Sequence, residues 1–569
     1  MAETLISPGY LQRENDQSFL QRQPVKVGAA IIGPTVKGEV EIPTVVTSYS
    51  DYQSRFGTSL VSGSDVYTYF TSIAAYNFFN NGGESLLVAR VVSGSYTSAT
   101  STAISSSISA SAQPAFILET ISKGTMMNSS GSEDSAGSLT NGSDSNVRWE
   151  VMSPDTSSGT FTLLIRRGDD NTSTKTILET FANLSLDPKA SNYISKIVGD
   201  QVFNYNVTTN QVEVSGSFKD GSRYVRVKSV INNTPDYFDN AGLAKAQFTS
   251  SIPLAGSGSF TGAVGGIMAG ANFYDRINSS NTQGLVAANY TNMIALLANK
   301  DDYQFNSLTT PGLYNTDYTA QITSLINNTQ ERGDNIFVPD LVPFNSTVTT
   351  VATQGISRNS SYAGTYWPWM QIVEPEIGKQ VWVPMSTLIQ GVYAFNDKVA
   401  EPWFAPAGIN RGGLDMVIRP ERKLNVSDRD ILYTAKVNPI ANFPGIGIVV
   451  WGQKTLQTKA SALDRINVRR LLIELKSYIG QVAVTLVFDP NTNATRNSFL
   501  SRVNPYLESV QQRQGLYAFK VLMNDENNSP DVIDRNQLVG QIYLQPTKAS
   551  EFVLIDYNIT PTGATFPTA

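Results

Sequence analysis

Two residue types are missing altogether: the chain contains no cysteine and no histidine. Without cysteine there is no disulfide, no thiolate nucleophile and no zinc–sulfur site. Without histidine the commonest general base and the commonest transition-metal ligand are both gone, which excludes Ser-His-Asp and Cys-His hydrolases. Carboxylate-only chemistry survives these cuts, as a glycosidase pair or a magnesium site. Charge is also scarce, with 16% Asp, Glu, Lys and Arg and a formal net charge of -6. A mildly acidic chain with no block of like charges lacks the basic field that phosphate neutralisation requires. Met1 to Tyr10 has neither a basic start nor an apolar stretch, so a signal peptide is not expected. No run of about 18 apolar residues occurs, so no membrane span is expected either.

What is present is enough to fold. The chain has 569 residues, of which 41% are hydrophobic, and at roughly 100–200 residues per domain about three to five domains are expected. Aromatic residues abound, with 25 Tyr, 25 Phe and 6 Trp, and such side chains supply large area to cores and interfaces. Residues 1–24 are polar apart from Leu5 and Ile6, and read as an arm that either stays disordered or pairs with something else. The small apolar run Val25 to Pro34 predicts a strand, as do Ile42 to Ser48 and Leu86 to Val92. Ser48 predicts a helix cap with Asp51 three residues on and Gly57 as the stop. Apolar spacing predicts a helix over Tyr67 to Asn80.

Residues 93–160 turn rich in Ser, Thr, Gly and Asn, and 127–147 reads either as low-complexity linker or as surface loop of a β-rich inserted domain. Strands are expected at Ala115–Ile121, Phe161–Arg166 and Tyr224–Ile231, with a helix over Pro188–Val198. Further on, helical patterns run over Gly284–Leu297, Asp317–Ile326 and Val383–Val399, with extended segments at Asn335–Pro339 and Ala363–Val373. In the last third, Ser461 and Asp464 predict the start of a helix with Val468, Leu471, Leu472, Leu475 and Ile479 on one face and Gly480 at its end. Val482, Val484, Leu486 and Phe488 alternate as a strand would. A second helix is expected over Asn493–Gln514, with Pro505 inside it, then strands at Tyr517–Met523, Gln541–Leu544 and Glu551–Ile559.

No constellation of residues assembles into a catalytic site. Gly262 to Gly266 lacks the Lys-Ser/Thr of a phosphate loop and reads as a turn. Arg332-Gly-Asp334 leads into an apolar strand and reads as the turn before it. The acid pairs Asp169/Asp170 and Asp525/Glu526 lie in polar loops and read as solvated, not as a glycosidase pair. Trp367-Pro-Trp369 is the densest aromatic cluster; a packed core or subunit contact is one reading and a sugar platform the other. Arg465, Arg469 and Arg470 share a helix with Asp464 and Glu474, as a salt-bridged solvated face or as a surface for an acidic partner.

The order of short motifs resembles the contractile tail sheath family of phages and related injection machines. Ser7-Pro-Gly-Tyr10, Gly33-Pro34, Pro43, Val46-Thr-Ser48 and Phe56-Gly57 are similar to its opening series. Phe78-Phe-Asn-Asn-Gly-Gly83 followed by Val88-Ala-Arg-Val91 resembles its next pair, whereas Lys123-Gly-Thr125 carries Met126 where the family has Trp. Ser361 to Trp369, Val383-Pro-Met-Ser386, Pro402 to Gly408, Asn438-Pro439, Gly447 to Trp451, Asn467 to Leu471, and Gln545-Pro546 with Ala549-Ser-Glu-Phe552 complete the series.

The resemblance implies an α+β multidomain fold. Its parts would be a strand-exchange arm at 1–24, the N-terminal part of the sheath core at 25–95 and a β-rich inserted outer domain at 96–255. A middle subtilisin-like α/β domain without its triad would occupy 256–437, and a C-terminal α/β sheath module with a second strand-exchange arm 438–569. It implies a structural subunit, not an enzyme, with no cofactor and no metal. Such a subunit polymerises as six-fold rings in a helical stack around an inner tail tube protein, bounded by baseplate and tail terminator proteins. It contracts from a metastable extended state, with no direct nucleic acid contact and no membrane insertion. Its place would be the virion tail, assembled in the host bacterial cytoplasm. Leu5 and Ile6 on the first arm and Phe552, Val553, Leu554 and Ile555 on the last are the expected strand donors. Arg465, Arg469, Arg470, Arg502 and Arg513 are the expected tube-facing residues. The alternative reading is a carbohydrate-binding or adhesive tail component, resting on Trp367, Trp369 and the polar insert.

Overall fold

A computed structural model describes residues 28–62, 64–105, 114–266 and 271–552. It is a mixed α/β molecule built on several separate sheets. The largest core surrounds a five-stranded sheet in the order Thr44–Val46, Leu86–Arg90, Ala29–Gly33, Ser307–Tyr314, Ile336–Asp340. Its last four strands are mutually parallel and Thr44–Val46 is an antiparallel edge. The apolar runs at Ala29–Gly33 and Leu86–Arg90 are buried at every residue, as strands covered on both faces must be.

The helices Phe70–Asn80 and Ser386–Val399 lie against each other beside this sheet. Gly391 lets them touch, because a β-carbon there would come within 2.3 Å of Asn77 Nδ2. Asn77 Nδ2 donates to the Leu388 carbonyl at 2.7 Å, and Gln390 Nε2 to the Ala30 carbonyl at 2.9 Å, so two buried amides tie helix to helix and helix to sheet. Asp340, at the end of its strand, accepts from the Ser386 backbone N–H at 3.1 Å and from its hydroxyl at 2.5 Å. Burial pushes this carboxyl up to about 7 despite those bonds.

Between Arg90 and Ser307 the chain leaves the sheet and builds a β-rich unit with its own core, in which the Phe116 and Phe161 rings stack at 5.5 Å. A buried ionic cluster sits at one end of that unit. Arg166 holds Asp170 in a fork, Nε to Oδ2 at 2.7 Å and Nη2 to Oδ1 at 2.8 Å, and reaches Glu150 at 3.0 Å. Arg148 approaches Asp170 at 3.5 Å and pairs with Glu133. The expectation of a solvated acid pair therefore fails at Asp170, whose side chain is 0% exposed, and holds for Asp169, which pairs with Arg167 at the surface. Residues 127–147 are not a structureless linker: Ser130–Glu133 pairs with Leu139–Thr140, and Asp134 Oδ1 accepts from the Ala136 and Ser138 amides. Polar side chains there bind backbone in place of water, so a linker-like composition closes a loop.

Four further expectations are corrected. The Tyr67–Asn80 stretch is a short strand, Asp65–Thr68, paired with Ser59–Ser62, and then a helix from Phe70, with Tyr67 and Tyr69 packed on Phe273 from a distant segment. The 188–198 helix shrinks to Ile194–Val198. Ser461 caps a single 3₁₀ turn, and the long helix begins at Ile466. That helix runs through Gly480 to Val484, so the strand expected over 482–488 does not form. Its apolar residues do not share one face: Val482 in the last turn of the helix and Leu486 in the turn after it are buried, while Val484 and Phe488 are 71% and 102% exposed. The 48–57 helix forms as expected, with Ser48 accepting from the Asp51 amide and Gly57 at φ 70° closing it. Trp367 and Trp369 are buried at 3% and 2% exposure, so neither indole face is open to a sugar.

Candidate subunit interface

The C-terminal part is organised by two helices. Leu471, Leu475 and Val482 of Ile466–Val484 meet Phe499, Val503, Leu507 and Val510 of Asn493–Gln512. The second helix starts at Thr492, whose hydroxyl accepts from the Thr495 amide, and carries Pro505 on its exposed side. Tyr478 and Tyr506 stack across the pair at 3.8 Å. Trp403 joins this core from an outside loop and donates its Nε1–H to the Arg513 carbonyl at 3.0 Å.

On these helices lies a sheet of two antiparallel strands, Leu516–Leu522 and Gln541–Pro546. Phe519 faces Leu544 and Val521 faces Ile542, and all four pack on the helical core yet remain only half-buried. Among the described residues each strand has one neighbour, so the outer edge of each is unpaired. A two-stranded ribbon is marginal by itself, and an open edge offers a row of N–H and C=O groups to another chain.

Beyond Pro546 the chain crosses a cleft of about 1000 Å³ lined by Trp403, Phe404, Tyr433, Trp451 and Tyr517. It is fastened at both sides. Thr547 donates its hydroxyl to the Gln514 carbonyl at 2.7 Å. Lys548, Ala549 and Ser550 are exposed. Glu551 then accepts from Arg465 Nε at 2.7 Å, from Gln453 Nε2 at 3.1 Å and from the Tyr433 hydroxyl. Burial, reinforced by the bond to Glu551, pushes the Tyr433 phenol well above its ordinary range. Phe552 follows, 82% exposed and edge-on to Tyr433 at 6.3 Å.

Of the expected strand donors, Phe552 stands at the open end of this strap, whereas Leu5, Ile6, Val553, Leu554 and Ile555 lie outside the described residues. The five arginines separate. Arg469 and Arg470 are enclosed at 3% and 7% exposure, so the expectation of a solvated or partner-facing surface is corrected for both. Arg469 stacks on the Tyr362 ring at 3.8 Å, and Arg470 pairs with Asp397 above the Tyr393 ring. Arg465 is spent on Asp464 and Glu551. Arg502 and Arg513 are exposed, Arg502 bonded to the Thr485 hydroxyl and Arg513 paired with Glu401. Sequence reasoning missed the Glu551, Tyr433 and Gln453 cluster, whose members lie 98 and 118 residues from Glu551. The one signal near it was Ala549-Ser-Glu-Phe552 itself. Among the described residues no group of three or more acids could hold a metal, and no helix is long and apolar enough to cross a membrane.

Residues 458–560 match the phage tail sheath C-terminal domain, and residues 283–456 match the phage tail sheath protein central domain. The tail sheath protein of Vibrio phage KVP40 is 42% identical over 185 residues, 32% of this chain and 28% of that protein. That of Enterobacteria phage T4 is 38% identical over 185 residues, with the same shares. The chain thus spans under a third of the length of the curated relatives it matches. The crystal structure of a sheath tail protein from Listeria innocua superposes with a TM-score of 0.53, covering 92% of this chain and 95% of that one. At 11% identity that likeness shows a shared fold. Over its central and C-terminal regions the chain is thus similar to phage tail sheath proteins.

Proposed function

We propose that this chain is the structural subunit of a contractile tail sheath in the virion tail, working by assembly and not by catalysis. The observation that carries the reading is the two-stranded sheet Leu516–Leu522/Gln541–Pro546, half-buried on its inner face and open at both edges among the described residues. Strands supplied by neighbouring copies would extend the layer, cover Phe519, Val521, Ile542 and Leu544, and pair the free backbone groups. Residues 1–24 and the chain beyond Phe552 are the donors in this reading, and they link copies into a continuous mesh. Copies stack as six-fold rings around an inner tail tube protein, between baseplate and tail terminator proteins, after assembly in the host cytoplasm. Contraction from the extended state then draws on interface energy alone, since a packed interface with two arrangements needs no nucleotide. Arg502 and Arg513 remain as candidates for contact with the tube. The β-rich unit within 96–255 serves as an outer domain.

The test is electron microscopy of the purified full chain and of a chain lacking residues 1–24. The full chain forms long tubes, and the truncated chain stays folded but does not. Normal tubes from the truncated chain would refute strand donation by the first arm.

A further inference from the structure

We propose that Glu551 is a pin that fixes the point at which the C-terminal tail leaves the subunit, so that strain on an engaged tail reaches both matched regions of the body at once. The inference rests on the strand-exchange reading and adds to it a positioning residue.

Both carboxylate oxygens are in use. Oε1 takes the Arg465 Nε–H at 2.7 Å and the Gln453 amide at 3.1 Å, Oε2 takes the Tyr433 hydroxyl, and Arg465 Nη2 closes the ring by donating to the Tyr433 hydroxyl at 3.1 Å. Tyr433 is itself held, with Lys454 Nζ 3.6 Å above its ring and bonded to its carbonyl at 3.0 Å. Glu551 and Arg465 keep only 19% and 25% of their side-chain surface, so water and salt screen the pair less than an open surface pair. Tyr433 and Gln453 belong to the region matched by the central domain, and Arg465 and Glu551 to that matched by the C-terminal domain. One carboxylate therefore joins the two.

The consequence follows from chain length. The fastening before Glu551 is Thr547, and Lys548, Ala549 and Ser550 between them are exposed. If Glu551 lets go, the residues 548–551 can straighten at roughly 3.3–3.6 Å each, which adds about 13 Å of free reach before Thr547 takes the load. A donor strand on so loose a tether is presented to its neighbour over a larger volume and at a lower effective concentration. With the pin closed, Phe552 starts from one place, and displacement of a neighbour is passed into the body without slack.

The experiment uses the full chain, Glu551→Ala, Glu551→Gln, Tyr433→Phe and a chain ending at residue 552. Two quantities are read: the lowest concentration at which tubes form, and the mobility of a nitroxide attached at Ser550→Cys, a position in a chain with no other cysteine, in the unassembled protein. With the pin as described, E551A gives the label the sharp lines of a free chain end and needs at least about tenfold more protein to assemble. E551Q falls between it and the native chain, and the shortened chain does not assemble. Native-like assembly and label mobility in E551A, with the shortened chain still inert, would overturn the pin and leave strand exchange standing. Native-like assembly by the shortened chain would overturn strand exchange through this tail. If E551A does not fold, Y433F, which removes one hydroxyl, decides: unchanged label mobility overturns the pin.

Discussion

Replacing Asp170 by Asn puts the buried ionic cluster of the β-rich unit to the test. The substitution keeps size and shape but deletes the negative charge held in the Arg166 fork at 2.7 and 2.8 Å. It also weakens the bond from the Thr176 amide at 2.9 Å and leaves Arg148 with Glu133 as its acidic partner, beside the Gly137 carbonyl and the Ser257 hydroxyl. Arg148 and Arg166 side chains are 1% and 2% exposed, so water cannot take over the role of the carboxylate. Removing one member of such a buried set costs about 3–5 kcal/mol, most of it the penalty of two enclosed guanidinium groups left with less negative charge to balance them. For a unit of this size that corresponds to roughly 10 °C in unfolding temperature. Hydrogen exchange during denaturation reads the effect region by region. The unit has its own apolar core, separate from that of the five-stranded sheet, so the loss is confined to peptides between 98 and 261. Tube formation should persist if this unit is an outer addition. A loss below about 1 kcal/mol would refute the assignment of Asp170 as a charge-balancing hub, and equal weakening of the Ala29–Gly33 and Ser307–Tyr314 strands would refute its independence.

Other outcomes follow from named residues. Asp340 titrates near 7 in the folded chain and near its ordinary 3.8 when unfolded, so its contribution is complete below about 4 and is lost as pH rises through 7. Between pH 4 and pH 8.5 the native chain should lose up to about 4 kcal/mol relative to Asp340→Asn in denaturant titrations, and parallel curves would contradict this. Leu507→Ala, at a residue with 0% exposure between the two C-terminal helices, should lower stability by about 2–5 kcal/mol in the same assay. Phe488 is fully exposed at φ 74°, so Phe488→Gly should leave stability unchanged or raise it by about 1 kcal/mol, and a loss would reveal packing around that ring.

Local signals carried through wherever one face of an element met one core. The cap at Ser48 and the glycine at 57 start and stop a helix as the residue types dictate, and the buried strands at 29–33 and 86–90 are continuous apolar runs. The strand expected over 482–488 failed because alternation over four apolar residues also fits two buried positions one helical turn apart. Only contact with Phe499 and Val503 on the next helix favours the second pattern. The arginines at 469 and 470 read as a charged face because their partners, Tyr362 and Asp397, are far away in sequence. The Glu551 cluster was invisible for the same reason, as a carboxylate in a polar tail says nothing about a tyrosine 118 residues earlier. The open sheet edges could be expected only from the family resemblance, since local sequence does not state how many strands lie beside a strand.

The most direct test of the account is the structure of the assembled tube at side-chain resolution, read at the sheet formed by Leu516–Leu522 and Gln541–Pro546. The account predicts that strands from other copies occupy its free edges, with Phe519, Val521, Ile542 and Leu544 covered and Glu551 still bound to Arg465. A tube in which that sheet keeps two strands, and copies meet through other surfaces, would contradict it.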